Sequence, residues 1–274
     1  MNAIPILLAS TLFVTATSAW ALDPNTSDPK VIMDAVENRA SGDRIKSRLV
    51  IKIIDKDGRS RERVVQSRSI DFKDGTKQIM LFESPADVRG TGLLSVDYDA
   101  GERDDDQWLY LPSLHKSTRI SSGEKSGSFM GTDLSYSDMT KADPSQYSYK
   151  LLKQEVKVKL GDQEETCWLI ESRPNTKKSK DETGYLKSKV WVSKTKLMPL
   201  KIKSWVREGK KLKYIYFRDI KKVDNLWTTH TIVAQTKKGK VTESSTVLQF
   251  TEMMYNHESV TEDLFQLSRL EQGL

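Results

Sequence analysis

The sequence predicts a mainly β protein with a few helices (α+β), built as one curled antiparallel sheet of about ten or eleven strands. Two observations carry most of this. From Arg44 onward, apolar and charged residues alternate with period two, so that Leu49, Ile51 and Ile53 share one face while Lys46, Arg48 and Lys52 share the other. The runs are also separated by short turns, among them DKDG (55–58) and KDGT (73–76), whose Asp-Gly steps favour hairpins and therefore antiparallel neighbours. A helical period is visible only near the two ends, and a sheet of this many strands must curl or close.

Residues 1–21 combine an apolar run, Ile4 to Val14, with an Ala19-Trp20-Ala21 cleavage pattern. They read as an export signal, although no Lys or Arg precedes the apolar run. The run falls short of the ~20 apolar residues that a membrane span needs. No Cys follows the cleavage site, so no lipoprotein anchor is expected, and residues 22–274 are read as a single domain. Ser27-Asp28-Pro29 offers a cap and a first-turn proline for a helix carrying Ile32, Ala35, Val36 and Ala40 on one stripe, with a stop at Gly42.

Two strands follow, and then the stretch 77–139 departs from the plain pattern. It holds a strand (78–82), a turn with Pro85, Gly90 and Gly92, an apolar strand (93–96), an acidic tip (97–106) and a strand (108–111). A Gly/Ser-rich loop then ends in FMGTDLSY. Its glycines beside aromatic residues predict a mobile flap. Seven further strand-like runs lie between 146 and 253, with the Lys-rich 176–184 read as a solvated loop. A C-terminal helix capped by Thr261 is expected to turn Leu264, Phe265 and Leu267 or Leu270 inward.

Several function classes find no support in the residues. The net charge of +6 and pI near 9.1 come from Lys and Arg spread along alternating strand positions, such as Lys187, Lys189, Lys201 and Lys203, the pattern of a solvated sheet face rather than of a nucleic-acid site. His115, His230 and His257 have no metal-ligand spacing, so no metal and no cofactor are expected. The acidic run from Asp97 lacks the twelfth-position glutamate of a calcium loop, since Trp108 stands there. Ser-x-x-Lys spacings begin at Ser27, Ser113, Ser122 and Ser193 without a companion element, and the lone Cys167 sits among apolar strand residues. The reading is therefore of a protein that is not an enzyme. Large rings that share a face with lysines, Trp191, Trp205, Tyr214 and Tyr216, stand out as packing along Lys stems or as a binding surface.

The pattern FESP…RGTGLL…DQWLYLPSLHKSTRIS…GSFMGTDLSYSDM, with the later VWVSKTKLMPLKIKSWVREGKKLKYIYF, resembles the outer-membrane lipoprotein-sorting proteins of the LolA-like superfamily, and within it the branch found beside RND-type exporters. The resemblance implies a LolA/LolB-like half-barrel with a helical lid, located in the periplasm. It also implies a carrier of lipid or lipoprotein acyl chains, working between an inner-membrane RND-type or lipoprotein-releasing transporter and an outer-membrane acceptor. A monomer is expected. The alternative is an accessory or adaptor subunit of an RND-type exporter without carrier activity. On the carrier reading the expected lipid-binding residues are Leu49, Ile51, Met80, Phe82, Leu94, Trp108, Tyr110, Leu200, Ile202 and Val206 in the cavity wall, with Phe129, Met130, Leu134 and Tyr136 as the flap. A slip of one residue in register would exchange each for its neighbour.

Overall fold

The computed structural model describes residues 22–99 and 103–273. The expected signal segment and the extreme tip of the acidic hairpin lie outside the described residues. Thirteen strands form one antiparallel sheet. They are β1 (Arg44–Asp55), β2 (Ser60–Phe72), β3 (Gly75–Ser84), β4 (Gly92–Tyr98), β5 (Asp106–Leu111), β6 (Lys116–Arg119), β7 (Tyr147–Leu160), β8 (Gln163–Pro174), β9 (Tyr185–Ser193), β10 (Pro199–Val206), β11 (Lys211–Val223), β12 (Leu226–Lys238) and β13 (Val241–Tyr255). The count exceeds the ten or eleven expected, and one strand, β6, lies in sequence with no apolar alternation to announce it.

Two meanders, β1–β6 and β7–β13, are joined by pairing of β1 with β13, so β6 and β7 are the two edges of the sheet. The connection between them, residues 120–146, must therefore run from one edge of the curled sheet to the other. It does so on the concave side, and this topology puts the FMGTDLSY segment inside the curl. The β2–β3 hairpin depends on Gly75, where a Cβ would lie 1.9 Å from the Asp97 carbonyl oxygen at a φ of +148°.

Three short helices accompany the sheet: α1 (Pro29–Glu37), α2 (Lys177–Thr183) and α3 (Leu267–Gln272). Asp28, rather than Ser27, caps α1, accepting from the backbone N–H groups of Lys30 and Val31, with Pro29 at the first position. Ile32 of α1 is fully buried against Trp168 and Ile170 on the concave face. The expected 176–184 loop is instead α2, closed by a Thr176–Ser179 capping box and by Gly184 in the left-handed conformation. The C-terminal segment makes a 3-10 turn (Glu262–Leu264) and then α3. It buries Val260, Phe265 and Leu270 against Ile79, Leu81, Leu94 and Tyr110 on the outer face of the sheet. α1 therefore lies against the concave face, whereas the C-terminal segment packs on the outer face.

Candidate functional site

The concave face encloses a cavity of about 630 Å³. Alternation along the strands decides which residues reach it. On β1 to β3, pairing stacks Ser47, Ser67 and Met80 in one row and Ile45, Ser69 and Gln78 in the next. On the other side of the curl, Val190, Ile202 and Ile215 form a row across β9, β10 and β11. With Phe217, Ile232, Leu248 and Phe250 they make a continuous apolar wall, and Met33 and Val36 of α1 add to it. The cavity is consequently amphipathic: the apolar wall of β9–β13 meets the hydroxyls of Ser47, Ser67 and Ser69 and the Gln78 amide on β1–β3, with further hydroxyls from Ser188 and Ser204 on β9 and β10.

Charged groups gather where Asp71, Thr76 and Asp97 pair across β2, β3 and β4, near the C-terminal end of α1. Asp97 accepts one hydrogen bond, from the Lys141 N–H at 3.3 Å, while its Oδ1 is buried without a partner. Burial, reinforced by nearby Asp105 and opposed by Lys141, pushes its pKa up to about 7. Burial also raises the Glu37 carboxyl, against the opposing pull of Lys141 and Arg39.

The 128–139 segment is a fixed plug rather than a mobile flap. Phe129 is 1% exposed and packs on Phe82 and Tyr136, with ring centroids 6.0 and 5.8 Å away. The buried Asp133 carboxylate accepts hydrogen bonds from the hydroxyls of Thr236 and Ser244 at one oxygen and of Thr246 at the other, and its own N–H donates to Thr246. Asp138 accepts from the Tyr185 hydroxyl at 2.7 Å and from Lys213 Nζ at 2.8 Å. Burial alone would raise the Asp138 carboxyl, but the Lys213 ammonium and these hydrogen bonds hold it below the ordinary value. Glycines gave the segment its mobile look. The carboxylates that pin it find their partners on strands 47 to 113 residues away, so no local pattern could reveal them.

The expected site residues separate into three groups. Leu49, Met80, Leu134 and Ile202 line the cavity. Ile51, Phe82, Phe129, Met130 and Tyr136 belong to the contiguous apolar core in which the plug packs on the sheet. Leu94, Trp108 and Tyr110 are a correction. They lie on the outer face beneath the C-terminal segment, while their neighbours Leu93 and Leu109 face inward. The reason is that β4 is buried on both faces, which erases the alternation that sets register. Leu200 is also misplaced: Pro199 pairs with Val192 and Lys201 with Trp191, so Leu200 is the extra residue of a bulge and packs with Cys167 and Met198. Val206 is half-buried outside the cavity. Met33, Val36, Ile215, Phe217, Ile232, Leu248 and Phe250 were missed, although the alternation of β11 to β13 carried the signal for most of them.

Features that could suggest catalysis have structural roles. The Cys167 thiol is buried, and desolvation pushes its pKa up to about 12. Ser193 Oγ donates to Glu165, and the Lys196 ammonium of that Ser-x-x-Lys spacing is held by the same carboxylate at 2.6 Å. Among the described residues, no helix is long and apolar enough to cross a membrane.

Comparison with known proteins agrees with this architecture. A family model described only as an uncharacterised protein family matches residues 74–272. Among solved structures, a domain assigned as an outer membrane lipoprotein-sorting protein from Vibrio parahaemolyticus superposes with a TM-score of 0.75 at 29% identity, covering 89% of this chain and 98% of that one. A DUF1329 family protein from Desulfovibrio piger gives 0.74 at 31%, covering 88% and 95%. A LolA superfamily protein from Nitrosomonas europaea gives 0.63 at 19%, covering 87% and 97%, a likeness of fold. No curated protein sequence matches the chain. With nearly three quarters of its length under the family model and a DUF1329 relative above 30% identity, this chain belongs to the DUF1329 family and has the LolA-like fold.

Proposed function

We propose that the protein is a periplasmic carrier that shelters the acyl part of a lipid or lipoprotein in its concave cavity and passes it toward the outer membrane. An inner-membrane transporter of the RND or lipoprotein-releasing type would be the donor. The observation that carries this reading is the continuous wall of Ile202, Ile215, Phe217, Ile232 and Phe250 around a space of about 630 Å³ on the one side of the sheet where a soluble β protein would otherwise close its core. Burying half of a 16-carbon chain contributes roughly 6 kcal/mol at ~0.8 kcal/mol per methylene. Micromolar retention needs about 8 kcal/mol, so the chain must enter deeply or the polar part must also be held. The hydroxyls of Ser47, Ser67 and Ser69 and the Gln78 amide, which line the cavity, are placed to hold a polar part. The lipoprotein-sorting assignment of the Vibrio relative supports the same cargo class.

Native mass spectrometry of residues 22–274, purified without detergent, tests the proposal. Acyl-containing mass should be bound, should leave on organic extraction, and should fall at least about tenfold in occupancy in Ile215→Trp, which fills the cavity, while Trp108→Ala on the outer face should leave it unchanged. A protein that is clean as isolated and takes up no added lipid would sink the carrier reading and favour the exporter-accessory role.

A further inference from the structure

On the outer face of β9 to β12, cations and aromatic rings interleave in register. Lys187 pairs with Trp205; Lys189 with Lys203 and then Tyr214; Trp191 with Lys201 and then Tyr216. The ammonium groups lie over the rings: Lys203 Nζ is 4.7 Å and Lys187 Nζ 4.9 Å from the Trp205 centroid, and Lys201 Nζ is 4.8 Å from that of Trp191. Tyr214 and Tyr216 stack at 6.2 Å, and Lys237 reaches Tyr214 from β12 at 5.5 Å.

The charge on this face is not neutralised. Four other lysines on and around the same strands carry carboxylate partners, Lys194 with Glu155, Lys196 with Glu165, Lys211 with Glu243 and Lys213 with Asp138, whereas Lys221, Lys222 and Lys238 have none among the described residues. Among the described residues, Lys189, Lys201, Lys203 and Lys237 engage no carboxylate, and Lys187 alone in the patch does, through Glu171. Packing cannot account for this, because a lysine stem covers a ring equally well when its head is paired. Paired strands also hold the side chains at fixed spacing on an open sheet surface, so several can meet one extended partner together.

We infer that this face is a docking surface for the anionic phospholipid headgroups of a bilayer. Unpaired ammonium groups are drawn to a surface of many phosphates, and tryptophan and tyrosine rings settle at the boundary between headgroups and acyl chains. The two requirements coincide here within three adjacent strands, on the side opposite the cavity. A carrier docked in this way keeps its concave side free.

The test is co-sedimentation of residues 22–274 with vesicles of phosphatidylcholine, with and without phosphatidylglycerol. Binding should require phosphatidylglycerol and should weaken as salt is raised. Lys201→Glu/Lys203→Glu should lower partitioning by more than about tenfold. Lys56→Glu/Lys240→Glu, the same change of net charge placed in turns off the face, should lower it several times less. Trp191→Ala/Trp205→Ala should weaken binding at unchanged net charge, with a thermal melt of each variant showing that it folds. Equal loss from the on-face and off-face reversals, or no dependence on phosphatidylglycerol, would overturn the assignment. Binding to polyglutamate without binding to vesicles would overturn it too, giving the face to an acidic protein. Because cargo mass is scored separately, failure here leaves the cavity reading standing.

Discussion

The β1–β6 and β7–β13 halves share one concave surface yet treat their outer surfaces in opposite ways. In the first half, Leu81, Leu94 and Tyr110 are buried under Val260, Phe265 and Leu270, so β3 to β5 are dry on both sides there while β1 and β2 keep one wet face. In the second, the outer positions of β9 to β11 hold lysines laid on the half-buried rings of Trp191, Trp205, Tyr214 and Tyr216. The fold therefore invests its covering segment on one half only. Hydrophobic burial should carry more of the stability in the first half, and surface chemistry should dominate the second.

The largest expected break in this contrast is Leu270→Ala. The side chain is fully buried, and its loss should cost about 3 kcal/mol in denaturant unfolding, whereas Leu186→Ala, at an exposed position near the start of β9, should stay within about 0.5 kcal/mol. Next comes Asp133→Ala, which strands the hydroxyls of Thr236, Ser244 and Thr246 and should cost about 2 kcal/mol. Hydrogen exchange should quicken in 128–139 and little in β3 to β5; uniform quickening would mean that the plug is not an independent unit.

A smaller effect should follow pH. Asp97 binds its proton more tightly in the fold than unfolded, so its contribution is fully present below about pH 4 and is lost as pH rises through about 7. Asp97→Asn should flatten that part of the stability–pH curve and raise the urea midpoint at pH 8. The smallest effect belongs to the lysine-covered rings: Trp205→Ala should cost no more than about 1 kcal/mol, because partly solvated cation–π contacts are weak. A much larger loss would show that this face is structural core rather than a free surface.

Legibility tracked the number of wet faces. Where one face is wet, as in β1 and β2, Leu49 and Ile51 were placed on the inner face because Arg48 and Lys52 flank them, although of the two only Leu49 lines the cavity. Where neither is wet, as in β4, the alternation vanishes and Leu94, with its cross-strand neighbours Trp108 and Tyr110, was assigned to the wrong side. Leu200 failed for a different reason, since a bulge inserts a residue that no local pattern announces. The segment around Phe129 was recognised as special but misread as mobile, because the hydroxyls that hold Asp133 come from β12 and β13.

Period-two alternation, Asp-Gly turns and the proline-led first helix were enough to determine a mainly β, antiparallel, one-sheet protein, since these are local consequences of pleat geometry and backbone sterics. Tertiary structure alone decided that β1 pairs with β13, that residues 120–146 cross the concave side, and that the C-terminal segment covers the outer face. Those choices depend on which distant surfaces exclude water from one another, a property of the assembled sheet and not of any stretch of chain.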